Sequence, residues 1–216
     1  CLALCEELKE HSRIIFTTTT KIFFPEVRKN YKIYTGNDFL HRNLTENGAY
    51  ITGKEENGQG KLLPFSLDEI DSFKEKADYL IIEGDGSRMR PLKGWNKTEP
   101  VFVKRTDKTV GVITIRSLGL EINDENVHRL ELFLKISGAK EGEYVTKHHL
   151  ANVINAENGL FKGAEGEKVL LINQADTEKE FSDALELAEI QKKKGLLPDK
   201  IIISSLKEKK YYLLSL

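Results

Sequence analysis

Residues 78–87 read DYLIIEGDGS, an apolar run from Tyr79 through Ile82 that stops at Glu83 and turns through Gly84, Asp85 and Gly86. Consecutive apolar residues without polar alternation suit a strand covered on both faces, as in a parallel sheet wrapped by helices. Glycines on either side of an aspartate then punctuate it, because glycine takes up turn conformations that other residues resist. In open parallel sheets, ligands gather outside the carboxyl ends of the strands. An acidic turn at such an end therefore points both to the fold class and to the place where chemistry should sit.

Similar runs lie on either side. RIIFTT (residues 13–18), AYITG (49–53), VGVITI (110–115), KVLLI (168–172) and KIIIS (200–204) read as strands, with YYLL (211–214) as a last edge strand. Helical patterns cover residues 1–11, 66–76, 125–136, 146–155 and 178–194, the second opened by Ser66 and Glu69 at capping-box spacing. Residues 27–47 show little periodicity, 54–61 read as an exposed turn, 88–100 as an irregular basic loop and 159–166 as another loop. The expectation is an α/β fold, a mostly parallel sheet flanked by helices. It forms one domain over residues 1–216, with an irregular or helical insertion around 116–166.

Composition narrows the function. The 216 residues are 39% hydrophobic and 31% charged with a net charge of −1, so no global field favours nucleic acid or an anionic membrane. No apolar run approaches the roughly 20 residues of a membrane-spanning helix. The opening Cys1-Leu2-Ala3-Leu4-Cys5 lacks the basic flank of a signal peptide, so the cytoplasm is the expected compartment. The two cysteines lie at i and i+4 of the first helix and are expected to pack in the core. No capping Ser, Thr or Asp precedes that helix, as if its start lay upstream.

The strand ends carry the chemistry. Glu83 and Asp85 resemble a Walker B segment, whose carboxylates hold magnesium directly or through water, with Gly86 and Ser87 giving backbone close access to a phosphate. The bland alternative is an ordinary acidic turn. The strand at 13–18 runs into Thr17-Thr18-Thr19-Thr20-Lys21. Alternate hydroxyls point to opposite faces, so either Thr17 and Thr19 or Thr18 and Thr20 could meet a phosphate or metal. Asn173-Gln174-Ala175-Asp176 differs at one position from the N-K-x-D pattern that reads guanine. Ser204 and Ser205 follow one strand later, where such proteins present a loop to the base. An Asx turn with Asp176 capping the next helix is the structural alternative. Arg88, Arg90 and Lys93 suit a phosphate, an acidic partner or a solvated loop face. His128 and the His148-His149 pair show neither triad nor metal spacing. Together the pattern is that of a P-loop NTPase-like three-layer sandwich.

Taken in order, TTTTKIF (17–23), ADYLIIEGDGSR (77–88) with PLK (91–93), VHRLELF (127–133), GLFKG (159–163) and LLINQAD (170–176) resemble the YqeC family. Its members are accessory proteins of selenium-dependent molybdenum hydroxylases. The likeness runs from the first residues to about Asp176. It implies a phosphate loop of Walker A type ahead of Cys1, and a protein that binds GTP or ATP with Mg2+ and hydrolyses it slowly. Asp85 and Glu83 would hold the ion, and Thr20 with Lys21 would complete its shell or place the attacking water. Thr18, Thr19, Gly86, Ser87 and Arg88 would line the phosphates. Asn173, Gln174, Asp176, Ser204 and Ser205 would face the base. The implied partner is the molybdenum hydroxylase or its cofactor-maturation machinery, with no nucleic acid and no membrane; a homodimer is compatible with the sequence. Two other readings stay open: a nucleotide-free protein-interaction module, and a small-molecule kinase or nucleotidyl transferase on the same fold.

Overall fold

A computed structural model of the chain describes residues 1–23, 31–56, 60–194 and 198–214. The sequence reads as one domain; in the structure the chain groups into two compact units. The first is Cys1–Gly86 with Val101–Lys104, and the second Ser87–Pro100 with Arg105–Leu216.

The first unit contains α1 (Leu2–Leu8), β1 (Arg13–Thr18), β2 (Ile22–Phe23), β3 (Lys32–Thr35), β4 (Gly48–Glu56), β5 (Lys61–Leu63), α2 (Leu67–Ser72) and β6 (Tyr79–Glu83). Its sheet runs β2-β5-β4-β1-β6, with β3 also on β4. β1 lies between β4 and β6 and is parallel to both. Successive side chains of a strand point to opposite faces, and β1 uses both. Ile15 packs with Phe39, Phe65, Phe73 and Ile70 of α2, whereas Ile14 and Phe16 pack with Ala49, Ile51, Leu62 and Cys5 of α1. The expectation of a strand covered on both faces holds here. Cys5 is sealed and burial pushes its thiol up to about 11, but Cys1 is exposed, so only one of the two cysteines enters the core.

Local signals explain several boundaries. Ser66 Oγ accepts from Glu69 N at 3.3 Å and Glu69 Oε2 accepts from Ser66 N at 2.7 Å, the reciprocal capping box the sequence predicts. Two readings need correction. Residues 27–47 contain β3 and a 3-10 turn, Asn37–His41, whose Phe39 is buried. Within the turn expected at 54–61, residues 54–56 continue β4 and pair antiparallel with β5, which begins at Lys61. Residues 27–30 and 57–59 of these two stretches lie outside the described residues.

The second unit contains β7 (Leu92–Lys93), β8 (Lys108–Thr114), β9 (Val127–His128), α3 (Leu130–Ser137), α4 (Lys147–Asn155), β10 (Glu167–Asn173), α5 (Glu178–Lys194), β11 (Lys200–Ser205) and β12 (Lys210–Leu214). Its main sheet runs β12-β11-β10-β8; β10 is parallel to β8 and β11, while β12 returns antiparallel to β11. β7 and β9 form a separate two-stranded parallel pair. Ile113, Leu170, Ile172, Ile201 and Ile203 pack against Phe133 of α3, Leu150 and Ile154 of α4, and Leu187 of α5. Residues 116–166 thus contribute two helices to this core.

The single, mostly parallel sheet is therefore corrected to separate sheets of mixed direction. The physical reason is connection length: the short links of the β4–β5 hairpin and of β11–β12 cannot make a parallel crossover. The expectation of double coverage also fails in the second sheet. Along β8 the exposed Lys108, Val110 and Val112 alternate with buried Thr109, Gly111 and Ile113. A register row on that outer face joins Val112, Leu171, Ile202 and Leu213, with Val112 53% and Leu213 63% exposed. The helix expected over 125–136 begins only at Leu130, after Arg129 in the left-handed region, so His128 sits on a strand. Among the described residues no helix is long and apolar enough to cross a membrane.

Candidate functional site

At the carboxyl ends of β1 and β6, Thr18 pairs in register with Glu83. Thr19 N and Thr18 Oγ1 both donate to the Glu83 carbonyl at 3.0 Å. Thr17 Oγ1 donates to Thr52 O at 2.9 Å, and Thr19 Oγ1 to Val101 O at 2.9 Å. Thr18 Oγ1 also accepts from Thr20 N at 2.9 Å. Three hydroxyls of the run thus tie the end of β1 to its neighbours, which is a structural task. Neither alternating pair is free as a set. Thr20 is half-buried, with its Oγ1 3.3 Å from Thr18 Oγ1, and Lys21 after it is exposed.

Glu83 and Asp85 are both half-buried. The Glu83 carboxylate has no hydrogen-bond or ion-pair partner among the described residues. Burial pushes its carboxyl above the usual range, and the Asp85 charge adds to that push. Gly84 lets Val101 come close, for a Cβ there would stand 3.1 Å from Val101 O. Among the described residues no three His, Cys, Asp or Glu side chains form a metal cage. Magnesium does not need one, because it keeps several waters and takes one or two carboxylates beside a phosphate. An uncompensated acid next to a second acid, at a strand end, fits that demand.

A second polar edge lies in the other unit, at the ends of β8, β10 and β11. Its groups are largely paired with one another. Asp176 Oδ1 accepts from Ser205 Oγ, and Oδ2 from Arg116 at 2.8 Å. Ser204 Oγ donates to Asn173 Oδ1 at 3.1 Å, and Thr114 Oγ1 donates to Gln174 Oε1. Gln174 itself is left-handed, at φ 65°. The backbone N–H groups of Asp176 and Thr177 donate to Glu180 Oε2 at 3.0 and 2.9 Å. Glu180 also takes Arg116 at 2.7 Å, which holds its carboxyl down to about 2. To accept from a guanine edge, Asp176 would have to give up donors it already has. Gly86 and Asp85 belong to the first unit, whereas Ser87 and Arg88 belong to the second.

A third cluster was not legible as a site. Lys93 on β7 pairs with His128 on β9, and Gly94 N donates to His128 O at 2.8 Å. Lys93 Nζ lies 2.8 Å from Glu99 Oε2, with the lysine side chain only 4% exposed. Arg129 grips the same carboxylate through both oxygens, at 2.8 Å on Oε1. Lys162 of the GLFKG segment donates to the carbonyls of Asn96 and Glu99, which fixes the loop carrying that acid. The sequence offered Arg88, Arg90 and Lys93 as phosphate or acidic-partner contacts or as a solvated loop face, not as a cluster with Glu99 and Arg129. The available signal was the recurrence of PLK and VHR among the segments that carry the family resemblance.

The YqeC family profile, described as "YqeC protein", matches residues 1–131. An Escherichia coli K12 protein described as "Uncharacterized protein YqeC" is 29% identical over 155 residues, covering 69% of this chain and 60% of that protein. The match thus spans about 60% of the length of this curated relative. No solved structure matches.

Proposed function

Because the chain belongs to the YqeC family, we propose that its first unit binds a magnesium–nucleoside triphosphate at the carboxyl ends of β1 and β6. In this reading the protein works in the cytoplasm as a slow NTPase. It is an accessory, maturation factor for a selenium-dependent molybdenum hydroxylase. Glu83 and Asp85 hold the ion, directly or through water. Thr20 and Lys21 face the phosphates, with Gly86 beside them. The other threonines hold the end of β1 in place. The ion supplies charge neutralisation at the transferring phosphoryl group, and the chain's own groups supply position. The supporting observation is Glu83, a half-buried carboxylate beside Asp85 with no hydrogen bond or ion pair among the described residues. Calorimetric titration of the full-length protein with GTP, GDP and ATP, with and without magnesium, tests it. Magnesium-dependent binding of a triphosphate is expected. Failure of every nucleotide to bind at millimolar concentration ends the proposal.

A further inference from the structure

We propose that the chain pairs with a second copy of itself, edge to edge through β12, about a two-fold axis that passes beside Tyr212. The inference concerns the second unit and does not rest on the nucleotide reading.

β12 ends its sheet, paired antiparallel with β11 on one side. Among the described residues, no backbone hydrogen bond beyond those of the sheet involves residues 210–214. The other side of β12 therefore presents a row of N–H and C=O groups that can template a further strand. Such edges are ordinarily blunted by charge, proline or a bulge, yet Tyr211-Tyr212-Leu213-Leu214 carries neither charge nor proline. Tyr211, Tyr212 and Leu213 are 47%, 45% and 63% exposed, so both faces of the strand are open.

Self-complementarity points to the occupant. A two-fold axis normal to the sheet sets two copies of β12 antiparallel and keeps each face continuous with its like. Centred on Tyr212, the pairing uses all five residues of the strand. Tyr212 meets its own copy, Tyr211 lies opposite Leu213, and Lys210 lies opposite Leu214. On the outer face the apolar row of Val112, Leu171, Ile202 and Leu213 then runs on into a tyrosine ring. On the other face Tyr212 packs on Phe181 of α5, with ring centroids 4.7 Å apart, so two such aromatic pairs meet at the axis. Charge does not oppose this. The two Lys210 residues sit at opposite ends of the pairing, about 13 Å apart along the strands and beyond the roughly 8 Å screening length at physiological salt. β8, the other edge of this sheet, has Gly111 at its centre and would bring no side chains together there. Five strand residues a side fall short of the roughly 20–30 of a standard interface, so the dimer should dissociate at micromolar concentrations.

Sedimentation of the full-length protein without nucleotide, over about 1–100 μM, is the test. A concentration-dependent monomer–dimer equilibrium is expected. Hydrogen exchange at the backbone amides of residues 210–214 should slow as the dimer forms. Leu213→Lys changes an exposed side chain and sets like charges diagonally across the axis. It should raise the dissociation constant at least tenfold and leave the far-UV spectrum unchanged. Three results each overturn the proposal: a protein monomeric throughout, which would leave this edge to a strand of a different protein; a dimer whose β12 amides exchange as in the monomer; or a folded Leu213→Lys variant that dimerises as tightly as wild type.

Discussion

Lys93 Nζ lies 2.8 Å from Glu99 Oε2 with the lysine side chain almost completely buried, while Arg129 takes both oxygens of the same carboxylate. A desolvated ammonium costs several kcal/mol unless it is paired, and Glu99 provides the pairing. The Arg129 hydrogen bond is the largest influence on Glu99. With help from Lys93 it overrides the upward push of burial and holds the carboxyl down to about 2.

Glu99→Gln should therefore destabilise the second unit by about 2–3 kcal/mol. This lies below the roughly 3–5 kcal/mol of a fully buried pair because Glu99 is a quarter exposed. Its pKa falls from about 4.3 unfolded to about 2 folded, so the contribution is complete above the unfolded value and is lost as pH drops through the folded one. Glu180 and Asp78, each also held to about 2, lose their contributions over the same window. Urea unfolding followed by Trp95, the chain's one tryptophan, reads this directly. The wild-type midpoint should decline from about pH 5 to about pH 2, and the variant's should decline less.

Gly94 follows Lys93 and lies against α3. A Cβ there would stand 2.4 Å from Phe133 N and 2.6 Å from Leu132 Cβ, and neither the helix backbone nor its first side-chain carbon can step aside alone. Gly94→Ala should cost about 2–3 kcal/mol, the upper end of overpacking effects. Its φ is not in the left-handed region, so the penalty is steric. A urea midpoint equal to wild type would mean that β7 and α3 are packed less tightly than the structure indicates.

Asp176 illustrates a motif whose groups turn inward. The Arg116 partner is half exposed, so Asp176→Asn should cost only about 0.5–1 kcal/mol. The ratio of GTP to ATP affinity should stay within about twofold, since the side chain is already committed to Ser205 and Arg116. A tenfold loss for GTP alone would instead assign Asp176 to the base.

What was legible follows from range. β1 spans the predicted residues 13–18 and α5 the predicted 178–194, because apolar runs, caps and helical spacing act within a few residues. The division into separate sheets was hidden. A buried apolar strand reads alike whichever sheet it joins, and strand partners are chosen over distances that periodicity does not sample. β7 and β9 each span two residues, too few to show a period. His128 was absorbed into the helix because Val127, Leu130 and Leu134 continue its spacing. The ion triad needed residues 93, 99 and 129 to be brought together by tertiary contact. The threonines could be read as hydroxyl-rich, but sequence did not reveal that Thr52, Glu83 and Val101 would occupy them.

Glu83 allows the sharpest test of the nucleotide reading, because its energetics and its chemistry move in opposite directions. Its folded pKa is raised, chiefly by burial and further by Asp85. Stability associated with the protonated form is complete below the unfolded value of about 4.3 and is lost as pH rises through the folded one. At neutral pH the ionised side chain is thus a net cost in the protein alone, which a bound cation offsets. Glu83→Gln should be at least as stable as wild type at pH 7 without magnesium. With magnesium and triphosphate present, the wild-type Tm should rise while the variant's stays put, and nucleotide affinity should fall at least tenfold, or about 1.4 kcal/mol. Asp85→Asn should show the same loss of binding. Scanning calorimetry and isothermal titration separate the two effects. A variant less stable than wild type without the ion would make Glu83 a structural group, and undiminished magnesium-dependent binding would remove it from the site.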